Sequence, residues 1–363
     1  MITAVTFLAI LLTAVLVHEF AHYLNARSVG VPVRAFSVGF GPVVWRRTWR
    51  GTEWRLSAIP LGGYVDLPGL AAERDEDGGL KAPEGGMADL GFPGKAWVLI
   101  GGVVANFVLG TLLLTAAVTA NPSFRTLTSG TPPDVSGAEI VAVAPDSLAE
   151  RVGVQAGDVL ARVGAAVDPT PAEAVEAIRA ADGPLRLELR RDGALVPLEV
   201  AWPPADVPAG EPPRLGVQLA PLEVATVSLP VAFWESATFA VTAVPEMVAG
   251  FARGFASAAT GQMSEEVAGP VGIVGLVNDA TQVGIAPVLV LAALINFSLA
   301  VFNLLPIPGL DGGRLLVAGV VALRGRPFRP GQEEAFHLVG IVAVLALIVL
   351  ITLQEVQTLL STG

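Results

Sequence analysis

The chain has 363 residues, of which 53% are hydrophobic and only 15% are charged. Soluble globular proteins carry about 25% charged residues, so this composition excludes an ordinary soluble protein and indicates an integral membrane protein with some soluble mass. The formal net charge of −11 argues against nucleic acid as a partner, because such partners require clustered positive charge. The absence of cysteine excludes disulfides and thiolate metal sites.

The first predicted element is an apolar helix over residues 2–24, which is long enough to span a bilayer. Its residues from 2 to 17 are uncharged, and they lead directly into His18, Glu19 and His22, which form an HExxH motif. The N-terminus has no basic region and no small-residue cleavage site. We therefore interpret it as a retained membrane helix rather than a signal peptide.

The HExxH motif carries the strongest functional signal in the sequence. Ionisable side chains at membrane depth cost about 2.5–3.5 kcal/mol each on insertion scales and are functional by default. The i, i+4 spacing places His18 and His22 on one helical face, where both imidazoles can reach a single zinc ion. Glu19 can polarise a water molecule there without being a ligand. The alternative is an interfacial helix end with two incidental histidines, although the chain has only three histidines.

The remaining membrane-associated segments follow in chain order. Residues 33–66 alternate and carry paired glycines, a pattern that predicts short strands with a tight turn. Three further stretches are apolar enough to span a bilayer, at 96–120, 285–310 and about 338–353. The second span contains one polar amide, Asn106.

Between the second and third spans, residues 136–222 are predicted to form a compact domain of strands and helices. The predicted elements are strands at 138–143, 185–190 and 195–201, a turn leading into a strand at 154–160, and helices at 147–153 and 170–180. The sequence APDSLAERVGVQAGDVLARVG, at 144–164, resembles a bacterial PDZ domain of the permuted form, in which the carboxylate-binding strand comes last, and residues 214–219 match that strand. Such a domain either binds C-terminal peptide tails or acts only as a gate, and both interpretations stay open. Residues 231–259 then predict an amphipathic helix.

The charges of the three connections predict the orientation of the four spans. Residues 121–284 carry nine arginines against twenty acidic residues, whereas Arg27, Lys95, Arg314 and Arg324 flank the other two connections. Because positive residues near the ends of spans remain in the cytoplasm, we expect both termini and 121–284 to lie outside it. The HExxH motif then lies at the cytoplasmic end of the first span.

A catalytic zinc site needs a third protein ligand besides two histidines. The only other histidine is His337, at the start of the fourth span. The third span ends in NLLPIPGLDGG, residues 303–313, where two prolines interrupt the helix and Asp311 stands at the membrane boundary. From spacing alone, Asp311 is either the third ligand or the N-cap of a helix over 314–323, and both interpretations stay open.

The combination of HExxH in the first span, NLLPIPGLDGG in the third and a PDZ domain between them resembles a known family. It looks like the site-2 protease family of intramembrane zinc metalloproteases, and most of all like its bacterial sigma-factor-regulating branch. The resemblance covers nearly the full length of the chain. This chain departs from some relatives by carrying one PDZ domain instead of two.

The resemblance implies a role for each matching residue. His18, His22 and Asp311 match the zinc ligands, and Glu19 matches the catalytic acid and base. The residues that match substrate-binding positions are Asn303, Pro306, Pro308, Ile59, Gly62 and Gly63. The last three belong to a stretch that matches a membrane-embedded hairpin pairing with unwound substrate. Asn106 matches a family position in the second span.

The fold expected from these observations is a polytopic α-helical membrane protein. It has about four transmembrane helices, a membrane-associated β-hairpin region and one extracytoplasmic α+β PDZ domain. The expected divisions are an N-terminal membrane half at 1–120, the PDZ domain at 121–222, an amphipathic helix and linker at 223–284, and a C-terminal membrane half at 285–363. The expected location is the bacterial inner membrane.

The function that the resemblance implies is intramembrane zinc-dependent endoproteolysis of single-pass transmembrane proteins, such as anti-sigma factors or signal-peptide remnants. The implied partners are those substrates, membrane lipid, and peptide tails at the PDZ domain. One alternative is a membrane-anchored PDZ scaffold or quality-control protein without proteolytic activity. Another is a transporter with broken helices, although no inverted repeat is visible in the sequence.

Overall fold

The structure is a computed structural model, and it divides into two compact units. The residues that it describes are 2–70, 73–74, 80–81, 83–130, 135–204, 213–260, 268–329 and 331–362. The first unit, Met1–Ala120 with Leu229–Gly363, contains the long apolar helices and is called the membrane unit here. The second, Asn121–Ser228, is called the inserted unit.

The N-terminal part of the membrane unit consists of two long helices with a β-hairpin between them. Its elements are α1 Ile2–Ser28, β1 Ala35–Trp49, β2 Thr52–Asp66, β3 Glu73–Arg74, β4 Leu80–Lys81 and α2 Phe92–Ala120. The predicted strands are present, but β1 and β2 are long rather than short. Arg50 and Gly51 both have positive φ, which is the backbone that a two-residue hairpin turn requires.

The register of β1 and β2 determines which part of the hairpin is accessible. Phe36 lies opposite both Trp54 and Val65, so residues 35–38 have a partner on each side. Residues 58–60 are exposed, and Ile59 pairs only with Phe40 in the described register. This part of β2 therefore has at most one partner strand in the described register, and its other side faces solvent.

The inserted unit is an α+β fold with a buried apolar core. Its elements are a 3₁₀ turn at Pro122–Phe124, α3 Arg125–Ser129, β5 Val135–Val143, α4 Leu148–Arg151, β6 Val159–Val163, β7 Ala166–Val167, α5 Pro171–Arg179, β8 Leu185–Arg191, β9 Ala194–Val200 and β10 Val217–Val224. The sheet has the order β10-β5-β6-β8-β9, with β7 paired to β6. The other strands and helices predicted for this region are confirmed, whereas the strand expected at 214–219 lies further along the chain, at Val217–Val224. The last strand, β10, lies at the edge of the sheet.

The C-terminal part of the membrane unit is helical. Its elements are α6 Leu229–Thr242, α7 Val244–Ala259, α8 Pro270–Val283, α9 Ile285–Leu304, α10 Asp311–Arg324 and α11 Gln332–Thr362. The helical character predicted for 231–259 is confirmed, but the segment forms two helices because the helix is interrupted at Ala243. Pro245 stands at the start of α7, where its missing N–H is not needed, and it cannot continue a preceding helix. The third span also ends earlier than predicted, before Pro306.

In the described part of the chain, four helices are long and apolar enough to cross a membrane, namely α1, α2, α9 and the 332–358 part of α11. They confirm the four predicted spans and a polytopic membrane protein. The most buried of them is α2, which packs against α1, α6, α9 and α10. Gly110 allows α2 and α9 to approach closely, since a Cβ there would lie 2.6 Å from the ring of Phe297.

Candidate metal centre

Two side chains of α1 and one of α10, which is distant from α1 in sequence, converge where the two helices meet. His18 and His22 lie one turn apart on α1, and Asp311 is the first residue of α10. The two Nε2 atoms of the histidines are 3.1 Å apart. Asp311 Oδ2 lies 3.0 Å from His18 Nε2 and 3.2 Å from His22 Nε2. Both histidines are buried at 6% exposure, so the group is shielded from bulk water.

The spacing of these three atoms fits a zinc ion. Tetrahedral zinc with bonds of about 2.0 Å to nitrogen and oxygen has ligand atoms about 3.3 Å apart. The three distances at this site come within a few tenths of an ångström of that value. Among the described residues, this is the one group of three or more metal-ligating side chains whose ligand atoms all lie within 4.8 Å of one another.

The partner of His22 shows which ring nitrogen faces the site. His22 Nδ1 lies 2.8 Å from the carbonyl oxygen of Val98, so Nδ1–H donates a hydrogen bond there and Nε2 presents its lone pair. An imidazole lone pair and an anionic oxygen at this distance favour a cation between them.

The partner of His18 is the amide of Asn106 on α2. Asn106 is fully buried, and its Nδ2 lies 3.4 Å from His18 Nδ1, while its Oδ1 has no hydrogen-bond partner in the described structure. Exchanging the amide nitrogen and oxygen by rotation would let Oδ1 accept from His18 Nδ1–H. That arrangement satisfies the orphaned oxygen and leaves the His18 Nε2 lone pair free for a metal.

The backbone of α2 forms one wall of this site because Gly102 lacks a side chain. A Cβ at Gly102 would lie 2.6 Å from both His18 Cε1 and His22 Nε2. Any larger residue would therefore displace the imidazoles. Gly102 and the Val98 carbonyl were not identified from the sequence, and the Gly-Gly pair in an uncharged helix was the one local signal that could have pointed to them.

Glu19 faces the same site and contacts the hairpin. It is half-buried and interacts electrostatically with His18, His22 and Asp311. The backbone amide of Val65 donates a hydrogen bond to its carboxylate. Gly63 packs here as well, since a Cβ at that position would lie 3.7 Å from Glu19 Cγ and 2.7 Å from the Ser37 carbonyl oxygen. The hairpin therefore reaches the carboxylate that a proton-transfer step would use.

The loop before α10 points Asp311 at the histidines. Leu310, not Asp311, is the N-cap of α10, and it makes no side-chain capping bond. Gly312 and Gly313 are buried against the preceding loop. A Cβ at either position would lie 2.2 Å from a backbone carbonyl oxygen of that loop. These contacts explain why two glycines follow the aspartate. His337 stands apart from the cluster and accepts a hydrogen bond from the Gly309 amide through Nδ1 at 2.9 Å.

The other residues matched to substrate binding make their described contacts within their own segments. Asn303 is half-buried near the end of α9, and its Nδ2 donates to the Leu299 carbonyl at 3.0 Å. Pro306 is exposed in the loop and Pro308 is half-buried. Ile59 is 47% exposed on β2. Gly62 is buried with a φ of 136°, and a Cβ there would lie 2.4 Å from the Phe40 ring.

Comparison with known proteins identifies the family. The model of peptidase family M50 matches residues 6–347. A protein of Nostoc sp. (strain PCC 7120) named "Putative zinc metalloprotease all3971" is 31% identical, with 97% of this chain and 95% of that protein covered. The zinc metalloprotease RasP of Oceanobacillus iheyensis is 26% identical, with 99% of this chain and 100% of that protein covered.

These matches extend over nearly the whole chain, which belongs to peptidase family M50. It is a zinc metalloendopeptidase of the site-2 protease type, with zinc as its metal, and a multi-pass membrane protein. The family resemblance drawn from the two sequence motifs is confirmed.

Proposed function

We propose that this protein is an intramembrane endopeptidase that cleaves single-pass transmembrane proteins within the bilayer. The observation that carries the proposal is the convergence of His18, His22 and Asp311 at the end of an apolar helix, inside a unit whose long helices can span a membrane. A metal centre in that position suits a peptide bond that is itself inside the membrane. Anti-sigma factors and signal-peptide remnants are substrates of this kind.

The three converging side chains would hold the zinc ion, and Glu19 would move the proton. Zinc, when bound, acts as a Lewis acid for an attacking water and for a peptide carbonyl. Glu19 accepts a proton from that water as the water oxygen attacks the carbonyl carbon. It then returns the proton to the nitrogen of the leaving amine as the carbon–nitrogen bond breaks. The Val65 amide orients the Glu19 carboxylate for both transfers.

The exposed part of β2 would bind the substrate as an added strand. A helical substrate has its carbonyl groups engaged in hydrogen bonds, so it must unwind before one of them can be attacked. Residues 58–60 have solvent on one side, and pairing there would replace the lost hydrogen bonds. Gly63, further along the same strand, lies beside Glu19. The Asn303 side chain would hold the substrate backbone from the α9 side.

The inserted unit would act as a PDZ domain outside the cytoplasm. A cleft of about 940 Å³ lies between the edge strand β10 and α5, and its lining includes Val217, Val175 and Arg179. An unpaired strand edge facing a helix is the arrangement that binds extended peptide tails. The domain would admit substrates that have already been trimmed outside the membrane. The arginine distribution supports this orientation, with β1 and β2 on the cytoplasmic side.

Metal content and cleavage, measured together, test this proposal. In purified protein, His18→Ala, His22→Ala and Asp311→Ala should each lose zinc and cleavage of a model transmembrane substrate. Glu19→Gln should keep zinc and lose cleavage, because the carboxylate transfers protons without being a ligand. Asp279→Ala changes an exposed aspartate on α8 and is the control that should keep both. Full zinc content in Asp311→Ala would contradict the ligand set.

A further inference from the structure

The tip of the β1–β2 hairpin, residues 41–50, is exposed at every position. Its large apolar side chains are between 44% and 69% exposed, and they are Val43, Val44, Trp45 and Trp49. Contiguous apolar surface of this kind is unfavourable in water and marks a site of interaction. We therefore expect a partner to cover the hairpin tip.

The charge of the hairpin tip restricts the chemistry of that partner. The tip carries Arg46, Arg47 and Arg50, and no acidic residue lies between Phe40 and Thr52, although the whole chain has a net charge of −11. In the part of the chain that the structure describes, none of these arginines forms a salt bridge. The Arg50 guanidinium stacks 4.7 Å above the Trp49 ring instead. The tip is thus both apolar and strongly positive.

The hairpin tip is connected to the end of the first apolar helix. Trp54 packs against Trp49 at 6.3 Å and against Tyr23 at 5.3 Å between ring centroids, so aromatic contacts link the tip to the last turns of α1. At the same end of the membrane unit, Trp97 on α2 is 54% exposed and donates to Ser28 at 3.0 Å. Exposed tryptophan together with basic residues is typical of the membrane–water interface.

We propose that the hairpin tip docks on the anionic phospholipid headgroups of the membrane that the protein spans. Trp45, Arg47, Trp49 and Trp54 line an open cleft of about 350 Å³, in which a guanidinium can pair with a lipid phosphate while the indoles contact the glycerol backbone. Docking would fix one end of the sheet whose other end carries Gly63 beside Glu19. Lipid composition would thereby influence the position of the substrate-binding strand.

A single fluorescent probe can test this docking because the chain contains no cysteine. The full-length protein with Val44→Cys is labelled with an environment-sensitive dye and placed in nanodiscs of phosphatidylcholine, with or without phosphatidylglycerol. We expect a blue shift and a gain in intensity when phosphatidylglycerol is present, and a weaker response at high salt. The same dye at Ala165→Cys, exposed on the inserted unit, should not respond.

The arginines are then removed in the labelled Val44→Cys background. Arg46→Gln, Arg47→Gln and Arg50→Gln together should abolish the response to phosphatidylglycerol, since three charges near an anionic surface change partitioning on the order of a hundredfold. The control with the same charge change is Arg162→Gln with Arg186→Gln and Arg190→Gln on the inserted unit, which should respond like the parent. Zinc content verifies that each variant is folded. An equal response in both lipids, or an unchanged response after removal of the tip arginines, would overturn the proposal.

Discussion

At the scale of single residues, His337 is a buried side chain whose contacts bear on the metal centre indirectly. Its Nδ1 accepts the Gly309 amide hydrogen at 2.9 Å, and Gly309 stands two residues before Asp311 in a loop with a φ of +95°. The loop is confined on its other side by α11, where a Cβ at Gly340 would meet the Pro308 carbonyl oxygen. His337 therefore positions the loop that presents the Asp311 carboxylate.

Substitution of His337 separates this positioning role from simple packing. His337→Leu would leave the Gly309 amide without an acceptor, a loss of about 1–3 kcal/mol, and should weaken zinc binding and lower kcat. His337→Asn keeps an acceptor oxygen near the position of Nδ1 and should retain most of both. The measurements are zinc affinity by chelator competition and the separate values of kcat and KM. Retention of zinc affinity and kcat in His337→Leu would mean that the ring acts through its volume alone.

At the scale of elements, the packing of α2 against α1 depends on the absence of a side chain at Gly102. The histidine rings occupy the space that a Cβ would need, and the Val98 carbonyl, one turn earlier, orients His22. This helix therefore contributes backbone groups to the metal centre rather than ligands. Its role could not be derived from its own apolar sequence, because the contact depends on how two helices approach each other.

Gly102→Ala should abolish zinc binding although alanine favours helix over glycine by about 1 kcal/mol. The added methyl group would displace both imidazoles from the positions that face Asp311. Gly275→Ala on α8 is the matched control, since nothing lies within 4 Å of a Cβ there. Metal analysis of the two purified variants, with circular dichroism as a check of helix content, measures the difference. Normal zinc content in Gly102→Ala would show that the helices can separate without cost.

The exposed segment of β2 makes a second prediction at this scale. Ala58→Pro removes one main-chain donor and restricts φ at a position that has no partner residue in the described register, so the hairpin itself should persist. We expect cleavage of a model transmembrane substrate to fall while zinc content stays constant. Leu56→Ala, which changes only an exposed side chain, should be mild. A proline scan of residues 55–61 without effect on turnover would exclude substrate binding by strand addition.

At the scale of the whole molecule, the inserted unit has its own stability determinants. Asp158 is buried at 1% exposure and accepts two hydrogen bonds from Arg191, from Nε at 2.6 Å and from Nη2 at 2.7 Å. The Gln155 amide donates a third at 2.8 Å. The Arg191 guanidinium holds the pKa of the Asp158 carboxyl below its usual range. This pair joins the start of β6 to the end of β8.

The inserted unit should accordingly lose stability in acid. Because the pKa of Asp158 is lower in the folded state than the value of about 3.9 in the unfolded state, its contribution is complete above that value and is lost as pH falls through the folded pKa. Asp158→Asn should remove about 2–3 kcal/mol at neutral pH and flatten this dependence. Hydrogen exchange of amides in β6 and β8 of the full chain measures both. An unchanged pH profile in the variant would assign the acid sensitivity to another group.

Features that depend on neighbouring residues could be predicted from the sequence. The HExxH motif places two imidazoles on one helical face wherever that helix lies, because the i, i+4 relation is local. The four spans follow from runs of about 20 apolar residues, and the elements of the inserted unit follow from short-range periodicity. The family resemblance likewise rested on two contiguous motifs. Each of these inferences was made without knowledge of packing, and each agrees with the structure.

How distant segments meet could be seen only in the folded chain. Spacing left Asp311 open between ligand and N-cap, and the folded loop puts Leu310 at the cap and the carboxylate 3.0 Å from His18 Nε2. The contacts of Gly102 and the length of the β1–β2 hairpin were equally inaccessible to local patterns. The physical reason is that these features depend on helix approach and strand register, which are set by packing between segments and not by the pattern within one segment.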